Sequence, residues 1–396
     1  MRSLEKLLGI SIQEFMDKFH LRKHLFKCSN SSNAFNDLLE LKDLDVYLAT
    51  VPLKHGQVTL INNNKRPRAE QFLKLNDGYV VDNTLDMQKV FKLLDEGMTI
   101  ILTDMSKHIP KLGIYCNQLE NQLGVRVQAN IYITPAESQG FQVHVDSHDV
   151  FVLQIFGEKT WRVYDGLEDS PTKSLILKMP KFDEKKHILL DEINVSKGEL
   201  LYIPQGMYHA AQTRDKPSIH ITLGILPRRR SELLDMIFNE AKEGKFFRKS
   251  VPSRLYKHED FESFSKEFKK ACHQIIDEAN IDQLTDRVYQ QFLEKQSQDL
   301  TGHLSDTLQM GDLTLNSRVK RRSDARFWIE EQNYFTVVHH SQHKLQVPKP
   351  IAHVLKIILA DEAFRPTDID PMLSDKVKLN LVKKFLGSGI LRILQL

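Results

Sequence analysis

The middle of the chain, from about Leu112 to Pro227, consists of short segments rich in β-branched and aromatic residues, separated by glycine-containing turns. The segments are Val125–Thr134, Gln142–Phe156, Thr160–Tyr164, Leu200–Ile203 and Ser218–Leu226. Short strands that are divided by turns, without long helices between them, are typical of a barrel or a sandwich. The sequence therefore predicts a β-structured core in this region.

Different patterns on either side of this core predict an α+β chain with four regions. Residues 1–105 alternate helical and extended segments that we expect to pack on the barrel, which spans residues 106–229. Residues 230–310 predict amphipathic helices, either an ordinary packed pair or a dimer-forming one. Residues 311–396 predict a compact module of helices and a final strand that resembles a winged helix.

The composition argues against a membrane protein and against a disulfide-rich secreted protein, and it excludes few other classes of protein. The 396 residues carry 55 Lys+Arg and 52 Asp+Glu, and a net charge of +3 gives no reason to expect nucleic-acid binding. The three cysteines lie far apart, which is typical of a reducing compartment. Without a signal-peptide pattern or a long apolar run, the expected location is cytoplasmic.

A histidine and an aspartate two residues apart are the first candidate metal ligands. In the segment from Gly140 to Asp149, a strand would direct His144 and Asp146 to the same face. His148 shares that parity, but on a strand it would lie about 13 Å from His144, too far to bind the same ion. An HxD pair alone is a weak signal, because such pairs often occur by chance.

A third candidate ligand follows a predicted turn. Pro204 and Gly206 are expected to reverse the chain after a strand, so that His209 begins the next strand. Two histidines and one carboxylate that leave positions open are the ligand set of non-haem iron(II) oxygenases. His144, Asp146 and His209 are therefore the predicted metal ligands.

Lys159 is the candidate for binding a carboxylate. Gly157-Glu158 predicts a hairpin turn, and in the returning strand Lys159 shares the apolar face with Trp161. A lysine that points into an apolar interior needs a carboxylate partner, which a ligand could supply. The alternative from the pattern alone is that its ammonium reaches solvent beside the turn.

Two segments alternate polar residues with isoleucine. The polar residues are Asn130, Tyr132 and Thr134 in the first segment, and Ser218, His220 and Thr222 in the second. Such a polar face is usually exposed to solvent, but inside a barrel it would line a polar cavity.

Together these motifs resemble the JmjC-type cupin family of ribosomal oxygenases. The resemblance is carried by Asn130-Ile-Tyr-Ile-Thr-Pro, Gln139-Gly140-Phe, His144-Val-Asp146-Ser-His-Asp-Val-Phe-Val-Leu-Gln, Gly157-Glu-Lys159-Thr-Trp161-Arg-Val-Tyr and Tyr202-Ile-Pro204-x-Gly206-x-x-His209. It implies a double-stranded β-helix barrel of the cupin, or jelly-roll, type. It also implies a helical dimerisation region and a winged-helix-like module after the barrel.

The same resemblance implies a function. The protein would be an Fe(II)- and 2-oxoglutarate-dependent dioxygenase that uses O₂ to hydroxylate Arg or His of a ribosomal protein, acting as a homodimer. Lys159 would pair with the 5-carboxylate of 2-oxoglutarate, Asn130 and Thr222 would lie beside it, and Tyr132 would line the pocket. No catalytic residue beyond the metal ligands is implied.

Two other functions fit the same residues. One is a hydroxylase of a peptide natural product, and the other is a ligand-sensing cupin whose terminal module binds DNA. The basic run from Arg318 to Arg322 motivates the second, although such runs are usually solvated. Demethylation of methyl-lysine ranks below these, because nothing in the sequence suggests an aromatic cage.

Overall fold

The computed structural model describes residues 4–28, 31–76, 79–166, 168–251, 258–295, 300–341 and 343–396. Clustering of backbone contacts divides the chain into two compact units, Met1–Pro227 and Arg228–Leu396. The finer subdivision at residues 105 and 310 stays a prediction. Among the described residues, every helix is too short or too polar to cross a lipid bilayer.

The first unit contains eleven strands in its described part. They are β1 (Leu25–Lys27), β2 (Val58–Ile61), β3 (Leu73–Asn76), β4 (Tyr79–Leu85), β5 (Thr99–Leu102), β6 (Arg126–Thr134), β7 (Asp149–Tyr164), β8 (Leu189–Ser196), β9 (Leu200–Ile203), β10 (His209–Gln212) and β11 (Ser218–Leu226). Nine of them form one antiparallel sheet in the order β1-β9-β7-β11-β6-β5-β2, with β8 and β10 also paired to β7. β3 and β4 pair separately.

Helices of the first unit lie mainly before the barrel strands. They are α1 (Leu4–Leu8), α2 (Ile12–Lys18), α3 (Leu41–Thr50), α4 (Met87–Asp95), α5 (Pro110–Leu123) and α6 (Lys173–Ile176), with short 3₁₀ turns at His55–Gln57, Ala69–Gln71 and Met105–Lys107. Pro110 begins α5 and Gly124 ends it in the left-handed region, which is the usual asymmetry of helix ends. Buried residues of these helices pack against one side of the sheet in a large apolar cluster.

The predicted hairpin at Gly157-Glu158 is wrong, because β7 continues through both residues. Its first part pairs with β9 and β11, and its second part pairs with β8 and β10. The ladder with β11 shifts register close to Gly157, which has a φ of +62°. A Cβ there would lie 1.8 Å from the carbonyl oxygen of Pro217. The glycine thus bends one long strand, which keeps Lys159 in the sheet, instead of reversing it.

The strand predicted at Gln142–Phe156 begins later than expected. β7 begins at Asp149, and residues 142–148 are irregular except for an isolated bridge between His144 and His209. β9 and β11 coincide with the predicted segments Leu200–Ile203 and Ser218–Leu226. The predicted segments therefore match where the chain continues through the sheet, and fail where it becomes irregular beside the candidate ligands.

The second unit contains helices α7 (Arg230–Lys242), α8 (His258–Glu278), α9 (Ile281–Lys295), α10 (His303–Gln309), α11 (Leu355–Ile358) and α12 (Asp375–Gly387). Its strands are β12 (Arg318–Arg321), β13 (Trp328–Glu331), β14 (Phe335–His340), β15 (His343–Pro348) and β16 (Leu391–Gln395), with 3₁₀ turns at Met310–Asp312, Lys349–Val354 and Pro366–Asp368. β12 pairs with β16, and β13, β14 and β15 form a three-stranded sheet. The winged-helix assignment stays a prediction.

The basic run at Arg318–Arg322 is not simply a solvated face. Arg322 is buried and its guanidinium lies 2.6 Å from the carboxylate of Asp306, which is also buried. Arg321 lies 3.5 Å from Asp361. At least these two cations are engaged within the unit, and breaking such a buried pair is expected to destabilise the fold.

Candidate metal centre

The three predicted ligands lie together at one cavity of the first unit. The donor atoms of His144, Asp146 and His209 are all within 4.8 Å of one another. Among the described residues, no other group of His, Cys, Asp and Glu side chains meets this geometry. Residues far apart in the sequence therefore form one compact set of two imidazoles and a carboxylate.

Main-chain pairing fixes the two histidines relative to each other. The amide of each donates to the carbonyl of the other, at 3.0 Å from His144 and 2.9 Å from His209. Their ring centroids are 4.5 Å apart. Because backbone bonds set this spacing, it does not depend on a bound ion.

The same local contact orients both rings. Nδ1 of His144 lies 2.8 Å from the carbonyl oxygen of Gln142, and Nδ1 of His209 lies 2.9 Å from that of Met207. A carbonyl can only accept, so each Nδ1 must carry the proton. Nε2 of each ring then keeps its lone pair, which is the form that binds a metal ion.

Electrostatics keep these groups in their metal-binding states. Burial, together with the neighbouring imidazole of His144, lowers the pKa of His209 to about 4. Removal from water disfavours the charged form of Asp146, but the adjacent imidazoles of His144 and His209 hold its pKa below the ordinary value. A neutral imidazole at His209 beside an ionised carboxylate at Asp146 is a suitable donor pair for a divalent ion.

The predicted turn before His209 is present, and hydrogen bonds from its backbone amides to Asp146 and Asp149 stabilise it. The amide of Gly206 donates to the carbonyl of Asp146 at 2.8 Å, and the amide of Gln205 donates to the carboxylate of Asp149, also at 2.8 Å. Gly206 has a φ of +79°, and a Cβ there would lie 1.9 Å from the carbonyl oxygen of Glu168. Glycine is thus required where the ligand-bearing strand begins.

We expect Gly206→Ala to lower Tm by about 5 °C or more, from the strain and the clash together. It should also weaken Mn²⁺ binding about tenfold or more, because the turn aligns two ligands. Gly56→Ala is the matched control, since Gly56 has no atom within 4 Å of an added Cβ. Thermal melts and Mn²⁺ titrations of both variants would check this, and equal behaviour would contradict it.

His148 is not part of the ligand set, although not for the reason that strand spacing suggested. Residues 144–148 are not a strand. The ring of His148 packs against β11, where a Cβ on Gly224 would lie 2.7 Å from its Cδ2 atom. Its position is therefore explained by packing rather than by ligation.

Lys159 is buried, so the solvent-reaching alternative is wrong. Its Nζ donates to the Thr134 hydroxyl at 2.9 Å. Burial lowers the pKa of Lys159 to about 7, and no carboxylate of the described residues counters that effect. A buried amine without a counter-charge is a suitable place for an anionic group of a ligand.

The polar faces of β6 and β11 point into the barrel and not to solvent. Thr134, Ser218, His220 and Thr222 are buried. The cavity has an empty volume of about 490 Å³ including its open mouth, and its lining includes the three candidate ligands with Lys159, Tyr132, Thr222, His220, Trp161, Thr99 and Phe141. The alternation of polar residues with isoleucine was the sequence signal for this lining.

Of the three other residues predicted to bind the cosubstrate, Tyr132 and Thr222 line the cavity and Asn130 does not. Burial and the charge of Asp146 raise the pKa of Tyr132. Thr222 lies opposite Asn130 in the ladder of β11 and β6. Asn130 is not among the lining residues, and its Oδ1 accepts from the amide of Asp104 at 3.0 Å. Its role beside a cosubstrate stays a prediction.

Comparison with known proteins identifies the fold. The JmjC domain family matches residues 105–233. An X-ray structure of YcfD from Escherichia coli superimposes with a TM-score of 0.57 and 12% identity, over 98% of this chain and 99% of that one. A second YcfD structure, described as a ribosomal oxygenase in complex with cobalt and 2-oxoglutarate, gives a TM-score of 0.54 at 12% identity, with the same coverage. The predicted α+β, cupin-type fold is thereby confirmed.

Curated relatives carry the name bifunctional lysine-specific demethylase and histidyl-hydroxylase NO66. The protein from Dictyostelium discoideum is 28% identical over 59% of this chain and 44% of its own length. That from Drosophila erecta is 25% identical over 92% of this chain and 60% of its own length. The chain thus spans less than two thirds of these relatives. Residues 105–233 thus match the JmjC domain family, and the chain has the fold of the solved YcfD structures.

Proposed function

We propose that the protein is an Fe(II)- and 2-oxoglutarate-dependent oxygenase that hydroxylates a protein side chain. One observation carries the proposal: a two-histidine, one-carboxylate donor set shares its cavity with a buried lysine that no carboxylate of the described residues neutralises. The first is a metal site with open positions, and the second suits the far carboxylate of a keto acid. The names of the YcfD and NO66 relatives support this pairing.

His144, Asp146 and His209 would hold the iron, which supplies the oxygen-activating chemistry when it is bound. Lys159 would bind and orient the 5-carboxylate of 2-oxoglutarate. Thr222 and Tyr132 would complete the wall of the cavity. Burial of this wall would exclude bulk water from the reacting end, and no protein acid or base is needed.

The test is succinate formation from 2-oxoglutarate by iron-loaded protein that is offered intact ribosomal proteins, with product masses followed. We expect succinate and a gain of one oxygen on an Arg or His of one target, both lost in His144→Ala and kept in His55→Ala, an exposed control. Loss of a methyl group from lysine would instead support demethylation. Turnover only with short peptides would support the natural-product alternative.

We also propose that two copies associate through the second unit. α8 is 21 residues long, and three of its apolar residues, Phe261, Phe268 and Ile276, are exposed at 38%, 43% and 50%. In α9, by contrast, Leu284 and Phe292 are buried. An apolar stripe that is only partly covered favours the dimer-forming alternative over an ordinary packed pair.

Ile276→Glu is expected to convert a dimer into a monomer, because a charge would be buried within the proposed interface. Light scattering with size-exclusion chromatography at micromolar concentrations measures this directly. Val46→Glu is the control, since Val46 is an exposed apolar residue of α3 at 62%. A wild-type monomer, or an unchanged dimer in Ile276→Glu, would contradict this interface.

The cysteines support a reducing compartment, and we propose the cytoplasm. Cys28, Cys116 and Cys272 are free thiols. Burial raises the pKa of Cys116 to about 12, so this thiol is an inert core residue.

A further inference from the structure

His220 is the cavity residue that neither the ligand set nor the predicted cosubstrate contacts explain. It lies on β11, opposite Tyr132 of β6 in one ladder and Gln154 of β7 in the other. Its side chain is 1% exposed and lines the same cavity as Lys159 and the metal ligands. A polar ring in the centre of a sheet and in a cavity requires a reason beyond packing.

Aromatic neighbours fix the orientation of this ring. The ring of Tyr132 stacks on it with centroids 4.8 Å apart and an interplanar angle of 8°. Trp161 meets it edge-on, with centroids 5.6 Å apart, and lies 6.1 Å from the ring of His209. Trp161 is therefore close both to His220 and to a candidate metal ligand.

Both residues carry a buried polar atom without a partner. Nδ1 of His220 and Nε1 of Trp161 make no hydrogen bond to any residue that the structure describes. An indole N–H can only donate, and a neutral imidazole offers one donor and one acceptor. Two orphaned polar atoms in one cavity indicate that a ligand satisfies them.

The charge around His220 indicates which ligand group this is. Burial, reinforced by the positive charge of Lys159, lowers the pKa of His220 well below its usual value. The ring is therefore neutral beside a cation, so this side of the cavity offers donors without a negative group. A carboxylate, with several acceptor positions, matches such a set.

We propose that His220 and Trp161 donate hydrogen bonds to the same ligand carboxylate that Lys159 neutralises, and that His220 makes the cavity selective for a dicarboxylic keto acid. This inference rests on the proposed dependence on 2-oxoglutarate. Lys159 neutralises the charge of the carboxylate, whereas the hydrogen bonds from His220 and Trp161 fix its orientation. A monocarboxylic keto acid of equal chain length would leave all three groups unsatisfied, which disfavours its binding.

Binding of 2-oxoglutarate to Mn²⁺-loaded protein tests this without turnover. The chain has two tryptophans, so in a Trp328→Phe background the emission reports Trp161 alone. We expect 2-oxoglutarate to shift this emission and 2-oxopentanoate to bind at least about a hundredfold more weakly. His220→Phe, which keeps an aromatic ring against Tyr132, should weaken 2-oxoglutarate about tenfold to a hundredfold while Mn²⁺ affinity stays within about twofold.

A second pair of variants controls for misfolding. His220→Asn and His220→Leu have nearly the same shape and differ in polarity, so both lose the ring equally. We expect the Asn variant to bind 2-oxoglutarate at least about tenfold more tightly than the Leu variant. Equal affinity in this pair, or wild-type affinity in His220→Phe, would overturn the role of His220. Wild-type protein that binds Mn²⁺ but no 2-oxoglutarate would instead overturn the proposed function.

Discussion

Asp146→Asn is expected to abolish measurable turnover of 2-oxoglutarate and to weaken Mn²⁺ binding by about 10²–10³-fold. Loss of one charge from a buried ionic cluster costs about 3–5 kcal/mol, and this loss falls directly on the bound ion. The substitution keeps the shape of the side chain, so the barrel should remain folded. Metal titration and succinate formation measure the two effects separately.

The control for this prediction is Asp45→Asn, which removes an exposed carboxylate from α3 and should change neither quantity. Circular dichroism would establish that both variants are folded. A folded Asp146→Asn protein that binds Mn²⁺ as wild type does would show that the ligand assignment is wrong. The neighbouring histidines would then have to bind the ion with some other donor.

Lys159→Met is expected to have opposite effects on binding and on stability. It should abolish detectable binding of 2-oxoglutarate, because the carboxylate would lose the cation that is proposed to bind it. It should also stabilise the ligand-free protein by about 1–3 kcal/mol, because a buried amine without a counter-charge is replaced by an apolar chain of similar length. Denaturant unfolding of the ligand-free proteins measures the second effect.

The stabilisation should depend on pH in a defined direction. Burial gives Lys159 a folded pKa of about 7, below the ordinary lysine value of 10.5. Between these values the unfolded chain holds one more proton, so wild-type stability rises with pH through this range. The advantage of Lys159→Met should thus be largest at or below pH 7 and shrink toward pH 10. Lys65→Met, an exposed control, should show no such trend. A difference that is independent of pH would argue against a buried, uncompensated amine.

The strands of the barrel were largely predictable from the sequence, since they are rich in β-branched and aromatic residues. β9 and β11 match the predicted segments because each is buried throughout or nearly so. The error at Gly157 has a physical cause. A glycine followed by a polar residue predicts a turn from local preferences, but tertiary pairing with four other strands overrides them.

The candidate site was predictable as a set of residues but not as an arrangement. The motif from His144 to Asp146 and the turn before His209 indicated the ligands, although the segment that carries the first two is irregular. The orphaned atoms of His220 and Trp161 were not predictable, because they depend on contacts between β11, β6 and β7. The hydrogen bond of Asn130 to Asp104 is another long-range contact that periodicity does not indicate.

The mutual hydrogen bonds of His144 and His209 have a consequence for biogenesis. The two residues pair directly although much of the barrel separates them in the sequence. The ion site therefore does not exist until the ribosome has released β10 and the barrel has closed around it. Once loaded, the ion acts as a reversible cross-link across that long loop of chain, so that its binding free energy adds to the stability of the closed barrel.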